Sequence, residues 1–259
     1  MELFDLTGKV AIVTGSTRGI GRAIADALAA CGARVVVSSR RQEACDSVAG
    51  AINERHGAGT ALAVAASISS KAALQGLVER TIAGFGRIDV LVCNAASNPY
   101  HGPMAGISDE QFRKILDNNV LSNHWLIGMV AGGMIARRDG AIVQISSIAG
   151  LAGSATIGAY GISKAADFQL VRNLAVEYGQ HNIRINAIAP GVIRTEFARA
   201  LWADPAAEAA LNRTNPMRRI GEPDDVAGAA VFLASRAGGY VNGQVIVIDG
   251  GGTIREPVR

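Results

Sequence analysis

The chain has 259 residues, 49% of them hydrophobic and 18% charged, with 31 Gly and 7 Pro. That composition describes a globular, turn-rich protein and excludes disordered, fibrous and collagen-like chains, and no apolar run is long enough to mark a membrane span. The formal net charge of +3 is too small for a nucleic-acid partner, and the pairs Arg40-Arg41, Arg137-Arg138 and Arg218-Arg219 are too dispersed to form a basic stripe.

Lys9 to Val13 (KVAIV) is a β-branched run bounded by glycines and predicts a buried strand. Thr14-Gly15-Ser16-Thr17-Arg18-Gly19-Ile20-Gly21 follows, then an apolar run with helical spacing that closes at Gly32. Strand, Gly-rich turn and helix together present backbone N–H groups to a phosphate. The spacing is Gly-x-x-x-Gly-x-Gly rather than the commoner Gly-x-Gly-x-x-Gly. A second strand, 34–38, ends at Ser38-Ser39-Arg40-Arg41. In a doubly wound fold this tip reaches the adenosine ribose, where an acid selects NAD. Ser39 and Arg40 suit a 2′-phosphate instead, with Arg18 as a second cation, so NADP(H) is expected over NAD(H). The arginines also suit the start of a solvated helix.

Helices are expected at 42–56 and 70–85, and strands at 60–65 and 88–92, the last leading to Cys93-Asn94-Ala95-Ala96. Strands and helices alternating at this length imply βαβ units and a parallel sheet. Ser108 with Gln111 forms a capping box ahead of one long helix to about residue 135. Asn119 lies inside it, where Asn has poor propensity, and reads either as a surface residue or as part of a polar network.

A strand at 140–146 delivers Ser147 at its carboxyl end, where ligands bind in open α/β sheets. A helix at 158–178 carries Tyr160 and Lys164, four apart and so on one face. Its Gly158, Ala159, Gly161, Ala165 and Ala166 leave room for another helix. Free Tyr has a pKa of about 10. A unit charge at roughly 4 Å, with an effective dielectric near 20, supplies about 4 kcal/mol, enough to lower a phenol by about two or three units. The stretch 146–164 thus reads as a centre for moving a proton to or from a substrate oxygen. Alone, it also suits a core Tyr beside a solvated Lys. A strand at 183–188 runs into Pro190-Gly191-Val192-Ile193-Arg194-Thr195. The segment at about 192–220 breaks the α/β rhythm and reads as a substrate-binding loop or lid. A helix starts at Glu222-Pro223-Asp224-Asp225, and 245–248 is the last of seven strands. With no linker or repeat, residues 1–259 read as one domain.

Cys31, Cys45 and Cys93, with His56, His101, His124 and His181, show no metal-ligand spacing, so no metal is expected. Three scattered cysteines fit a reducing cytoplasm, MELFDLTGKVAIV does not read as a signal peptide, and IREPVR carries no peroxisomal or retention tripeptide.

Taken in order, these residues resemble the short-chain dehydrogenase/reductase (SDR) family over nearly the whole chain. Thr14 to Gly21 matches T-G-x-x-x-G-I-G, Asn94-Ala95 the core of N-N-A-G, and Pro190-Gly191 the turn after the sixth strand. Asn119, Ser147, Tyr160 and Lys164 fall on the catalytic tetrad. VVVSSRRQ, NAASNP and LW…RRIGEP further resemble its NADPH-dependent carbonyl and retinal reductases. The chain departs at Cys93 and Ala96, which replace Asn and Gly, and at Ser67-Ile68, where the family has Asp-Val against the adenine. The resemblance implies a single-domain Rossmann fold with a seven-stranded parallel sheet in the order 3-2-1-4-5-6-7. It implies an NADP(H)-dependent reduction of a ketone or aldehyde, or the reverse. Tyr160 would donate the proton, Lys164 would lower its pKa and hold the nicotinamide ribose, and Ser147 would bind the carbonyl oxygen. Asn119 would hold a relay water, and Ile193 and Thr195 would contact the carboxamide and phosphate side. Asn98, Pro99, Tyr100, Ile157, Phe197 and Trp202 are the expected substrate lining, suited to a hydrophobic or cyclic ketone. A homotetramer is expected. The alternatives are a 3-oxoacyl thioester reductase, with Arg194, Arg199 or Arg218 at a basic entrance, and a dinucleotide-binding sensor without turnover.

Overall fold

Every second residue of the first strand packs to the same side, and both sides are apolar. Ala11 and Val13 join one buried cluster, while Ile12 joins the other. A strand buried on both faces needs a layer of helices above and below, which is the condition met by parallel sheets. In the computed structural model, which describes residues 2–254, seven parallel strands pair in the order β3-β2-β1-β4-β5-β6-β7. They are β1 (Val10–Thr14), β2 (Arg34–Ser38), β3 (Ala61–Ala63), β4 (Val90–Cys93), β5 (Gly140–Ile145), β6 (Ile183–Pro190) and β7 (Val245–Ile248). This is a single-domain Rossmann-like fold.

Helices α1 (Gly19–Ala30), α2 (Gln42–His56) and α3 (Lys71–Phe85) connect the first strands. Beyond β4 come α4 (Asp109–Leu116), α5 (Ser122–Arg137) and α6 (Gly158–Tyr178). Between β6 and β7 lie α7 (Arg199–Trp202), α8 (Pro205–Thr214) and α9 (Pro223–Ala234). Residues of α1, α2 and α9, such as Ile24, Val48 and Val226, cover one face of the sheet. Leu74, Leu126 and Phe168 of α3, α5 and α6 cover the other. Fully burying a large aliphatic side chain is worth roughly 1.5–3 kcal/mol. The two clusters therefore fix both faces of the sheet and leave its carboxyl edge to serve as a platform.

Several expected boundaries move. β3 is shorter than 60–65: its register with β2 covers Ala61, Leu62 and Ala63, with single backbone bonds from Val35 to Thr60 and from Val64 to Val37 at its ends. β6 runs past 188 to Pro190, which pairs with Ile248 at the sheet's edge. The single helix expected from 108 to 135 is α4 and α5 joined by a π-turn, Asp117–Leu121. A π-turn loosens the i→i+4 ladder, and two side chains take up the carbonyls concerned. Ser122 Oγ donates to Asn118 O at 2.7 Å and Asn123 Nδ2 donates to Asn119 O at 2.5 Å. Asn119 is thus neither on the surface nor in regular helix. The expectation about the C-terminal tripeptide concerns residues 257–259, which lie outside the described residues.

Candidate active site

The carboxyl ends of β1, β4, β5 and β6 meet around the Gly-rich turn and the N-terminal part of α6. At the turn, side-chain size decides the geometry. A Cβ on Gly21 would stand 2.4 Å from Asn94 Nδ2 and 2.5 Å from Gly15 O. Asn94 occupies that space, donating from Nδ2 to Thr14 O at 2.8 Å and to Gly15 O at 3.2 Å. Thr14 Oγ1 accepts from the backbone N–H of Asn94 and of Ala95, at 3.0 Å each. Ser16 was expected at the cofactor, but its hydroxyl is buried and used internally. It donates to Val13 O at 2.7 Å and accepts from Ser38 N at 2.9 Å. Only the Ser16 backbone remains part of the turn.

The first turn of α1 has no side-chain cap on its N–H groups. Thr195 stands over this turn, its Cγ2 3.0 Å from where a Gly19 Cβ would be. Thr14 pairs with Ser38, so Ser39 and Arg40 leave β2 beside Gly15 and Ser16. Ser39 is partly engaged: its N–H donates to Cys45 Sγ at 3.2 Å. Arg18 and Arg40 are exposed and pair with no acid among the described residues. Ser67 lies in the following turn, its Oγ 3.0 Å from Ser69 Oγ, and Ile68 packs on the core. The Ile193 side chain is buried in the core at 4% exposure. Gly191 is the close-approach residue of that loop, since a Cβ there would meet Asp249 Cβ at 2.8 Å.

Tyr160, Lys164 and Ser147 come together as expected. The turn after β5 lies directly on α6: a Cβ on Gly150 would stand 2.6 Å from Lys164 C, and one on Gly161 2.8 Å from Ala149 O. The space left by Gly161 is therefore filled by this turn, and that left by Gly158 by Met104 Sδ at 2.6 Å, not by another helix. Lys164 is 2% exposed, its Nζ 5.6 Å from the Tyr160 ring centre. Nζ donates to Ile145 O at 3.0 Å and to Asp167 Oδ2 at 3.1 Å. Burial alone would push the amine down; the Asp167 carboxylate, with Tyr160 helping, outweighs it, so Lys164 titrates above its ordinary range. Tyr160 reverses the expectation of a lowered phenol. Burial raises it most, Lys164 opposes, Asp167 raises it further, and a Ser147 hydrogen bond lowers it. The net direction is up. Lys164 acts with the expected sign, but Asp167 offsets its charge and burial removes the phenolate's water.

Asn119 is fully buried. Its Oδ1 accepts from Ser97 N at 2.8 Å, and its Nδ2 donates to Ser97 O and to Ser163 Oγ, both at 3.0 Å. Its side chain thus ties the loop after β4 to α6, rather than standing open to a water.

Of the expected substrate residues, Phe197 is at the centre, its ring 6.0 Å from that of Tyr160. Trp202 lies under the Arg194 guanidinium at 5.1 Å, with its Nε1 buried and unpartnered. Asn98 Oδ1 is likewise buried without a partner. Tyr100 is spent on its own loop, donating to Pro103 O at 2.8 Å. That loop is tied to the β5–α6 connection near Ile157 by Gly102 N to Thr156 O, 2.8 Å. The residue that sequence reading missed is Asp167; its signal was an acid one turn beyond Lys164 on a buried helix face. No group of His, Cys, Asp and Glu among the described residues could hold a metal ion.

A phosphate-ready turn beside a buried Tyr–Lys pair and a half-buried Ser defines a dinucleotide-dependent oxidoreductase scaffold. The model of the family described as enoyl-(acyl carrier protein) reductase matches residues 15–253. The chain is 39% identical over 249 residues to dehydrogenase/reductase SDR family member 4 of Bos taurus, covering 95% of this chain and 88% of the relative. A gluconate 5-dehydrogenase from Burkholderia cenocepacia J2315, solved with NADP and tartrate, superimposes with a TM-score of 0.93 at 32% identity, covering 98% of this chain and 99% of that one. A 7α-hydroxysteroid dehydrogenase solved with NADH and 7-oxo glycochenodeoxycholic acid gives 0.92 at 37% identity, covering 97% and 96%. The chain belongs to the short-chain dehydrogenase/reductase family, oxidoreductases acting on CH–OH groups.

Proposed function

We propose that the chain is an NADP(H)-dependent carbonyl reductase or alcohol dehydrogenase, and the observation that carries this is the buried Tyr160–Lys164 pair with the half-buried Ser147, beside the glycine cradle. The dinucleotide fits the residues present: Gly15, Thr17, Gly19, Ile20 and Gly21 form a turn that side chains would fill, with uncapped N–H groups at α1. Ser39, Arg40 and Arg18 would take the 2′-phosphate, and Asn94, Ala95, Pro190, Gly191 and Thr195 would border the nicotinamide side. Ser67 and Ile68 would lie against the adenine. Both NADP and NADH occur among the related structures, and the unpaired Arg18 and Arg40 favour the phosphorylated form here.

When bound, the nicotinamide supplies or accepts the hydride. Tyr160 Oη gives its proton to the carbonyl oxygen as the C–H bond forms, and Ser147 Oγ–H steadies that oxygen as charge develops. Two Lys164 N–H bonds are committed to Ile145 and Asp167, and the third is left for a ribose hydroxyl or the phenol. Asn119 acts as a positioning residue, fixing the loop after β4 to α6. Phe197 and Trp202, with Asn98 and Ile157, would bound a hydrophobic or cyclic ketone. The 3-oxoacyl thioester alternative needs free cations at the entrance. Arg194 instead pairs with Glu208 and Glu222 at 2.5 and 3.0 Å, and Arg199 with Glu196 at 3.4 Å, which leaves Arg218, exposed and in no ion pair among the described residues, as the cation for that reading.

We further propose one domain, a homotetramer and a reducing cytoplasm. Supporting them are Ile162 and Val176, 46% and 85% exposed on α6, and three free cysteines. No described helix is long and apolar enough to cross a membrane. A screen of purified protein with NADPH and NADH against ketones, aldehydes and 3-oxoacyl thioesters tests the function. Turnover of a ketone or aldehyde with NADPH preferred supports it; turnover of thioesters alone, or binding without turnover, replaces it by the thioester reductase or the sensor.

A further inference from the structure

Behind the Tyr160–Lys164 pair sits an acid that the reaction derived above does not use. Asp167 lies on α6, three residues after Lys164, and is 0% exposed. Its Oδ2 accepts from Lys164 Nζ at 3.1 Å, while Oδ1 has no hydrogen-bond partner. The amide of Gln144 on β5 is buried next to the carboxyl. Burial pushes the Asp167 carboxyl up most; Lys164, and after it the Gln144 amide and the Ser146 hydroxyl, oppose, and the net direction is up. Ser146 Oγ, from the residue just after β5, donates to Lys164 O at 2.9 Å. Cys93 on β4 pairs in register with Gln144. The groups that face Asp167 are therefore Lys164 and Tyr160 from α6, Gln144 from β5, Ser146 just after it, and Cys93 from β4. Burial pushes the Cys93 thiol well up, so it stays neutral. Lys164 and Asp167 are the ion pair of this group, 3.1 Å apart.

Stability does not account for such a pair. A buried ion pair replaced by packed apolar residues is often neutral or stabilising, and Phe168 and Val171 show that this side of α6 accepts apolar packing. The consequence of the carboxylate is electrostatic and geometric. It fixes the ammonium against Ile145 O, and the phenol then feels an ion pair rather than a lone cation.

We propose that Asp167 is a positioning residue that holds Lys164 and offsets its charge, so that Tyr160 keeps its proton to higher pH than the Tyr–Lys pair alone would allow. The proposal rests on the reading of Tyr160 as the proton donor.

Ultraviolet titration of phenolate in the purified cofactor-free protein tests it, with Tyr160 isolated as the difference between Tyr160→Phe and its Tyr160 parent. In Asp167→Asn the Tyr160 phenolate should appear about one pH unit lower than in the wild-type background. Asp167→Leu, which removes the charge but supplies apolar packing, should give the same shift. In both variants the acid limb of alcohol oxidation should move down with the titration. A phenolate onset that stays put or moves up overturns the proposal, as does a shift in one variant that the other, equally well folded by circular dichroism, does not share. A uniform loss of turnover at every pH with no shift would mark Asp167 as merely structural. If the protein turns over no carbonyl at all, the function proposed above fails while the titration still decides the role of Asp167.

Discussion

The Gly-rich turn and the rim of the catalytic cleft sit at the same edge of one sheet but are held by different forces. The turn is held by contact. Gly21, Gly15 and Asn94 approach so closely that no other side chain fits, and Thr14 and Asn94 satisfy the backbone groups between β1 and β4. The rim at 192–220 is anchored at its base by backbone bonds of Val192 and Arg194 to Gly221, and its outer part is held by charge: Arg194 ties the end of β6 to α8 and to the start of α9 through Glu208 and Glu222. Short-range packing is intolerant of substitution and insensitive to salt, whereas partly exposed ion pairs are neither. The cofactor side is therefore expected to be rigid, and the substrate side adjustable.

The contrast breaks most visibly at Gly21. Gly21→Ala puts a Cβ into backbone and into Asn94, and should cost about 2–3 kcal/mol of stability together with most dinucleotide affinity. Denaturant melts and cofactor-fluorescence titration check both, and a variant with wild-type affinity would show that the turn yields. Arg40→Asp leaves the packing alone and changes only charge. It should lower NADPH preference over NADH by about 10–100-fold in kcat/KM, in line with the loss of a charge-assisted contact.

Arg194→Ala should raise KM by only a few-fold while leaving kcat within about twofold, because it loosens the rim without touching the Tyr160 group. The same ties should weaken when the wild type is assayed at high salt. The smallest effect is expected at Asp225 in the first turn of α9. Its carboxylate accepts from Glu222 N at 2.7 Å and from Arg219 at 2.5 and 2.8 Å, and its pKa falls to about 2, led by the Arg219 hydrogen bond. Because the folded pKa lies below the unfolded value of about 3.9, the stabilisation is fully present above pH 4 and lost as pH falls toward 2. Asp225→Ala should cost about 1 kcal/mol at pH 7 and close to nothing at pH 2, read from paired melts.

The same contrast explains what the sequence disclosed. Glycines forced by close approach are punctuation, so the turn at 14–21, its flanking strand and helix, and the strand tips could be placed from residues alone. The Tyr160–Lys164 spacing likewise reports a shared helix face. Strand order came only with the family resemblance, because local patterns do not say which strands pair. The π-turn at Asn119 leaves the apolar period almost unchanged, so it was read as plain helix. The side chains of Ser16 and Ile193 turn inward to partners that appear only in three dimensions. The raised phenol was beyond sequence for a similar reason: helix spacing gives Tyr160 and Lys164, but neither the burial nor the Asp167 carboxylate that shares the amine.

The central claim is that Tyr160 moves the proton in a cradle built to hold the dinucleotide. Single-turnover reduction of a carbonyl found by the screen, with wild type and Tyr160→Phe compared at equal NADPH saturation, tests it most directly. The account predicts a fall of at least about 100-fold in the reduction rate, with NADPH affinity within about twofold of wild type. Reduction at the wild-type rate by Tyr160→Phe would contradict it.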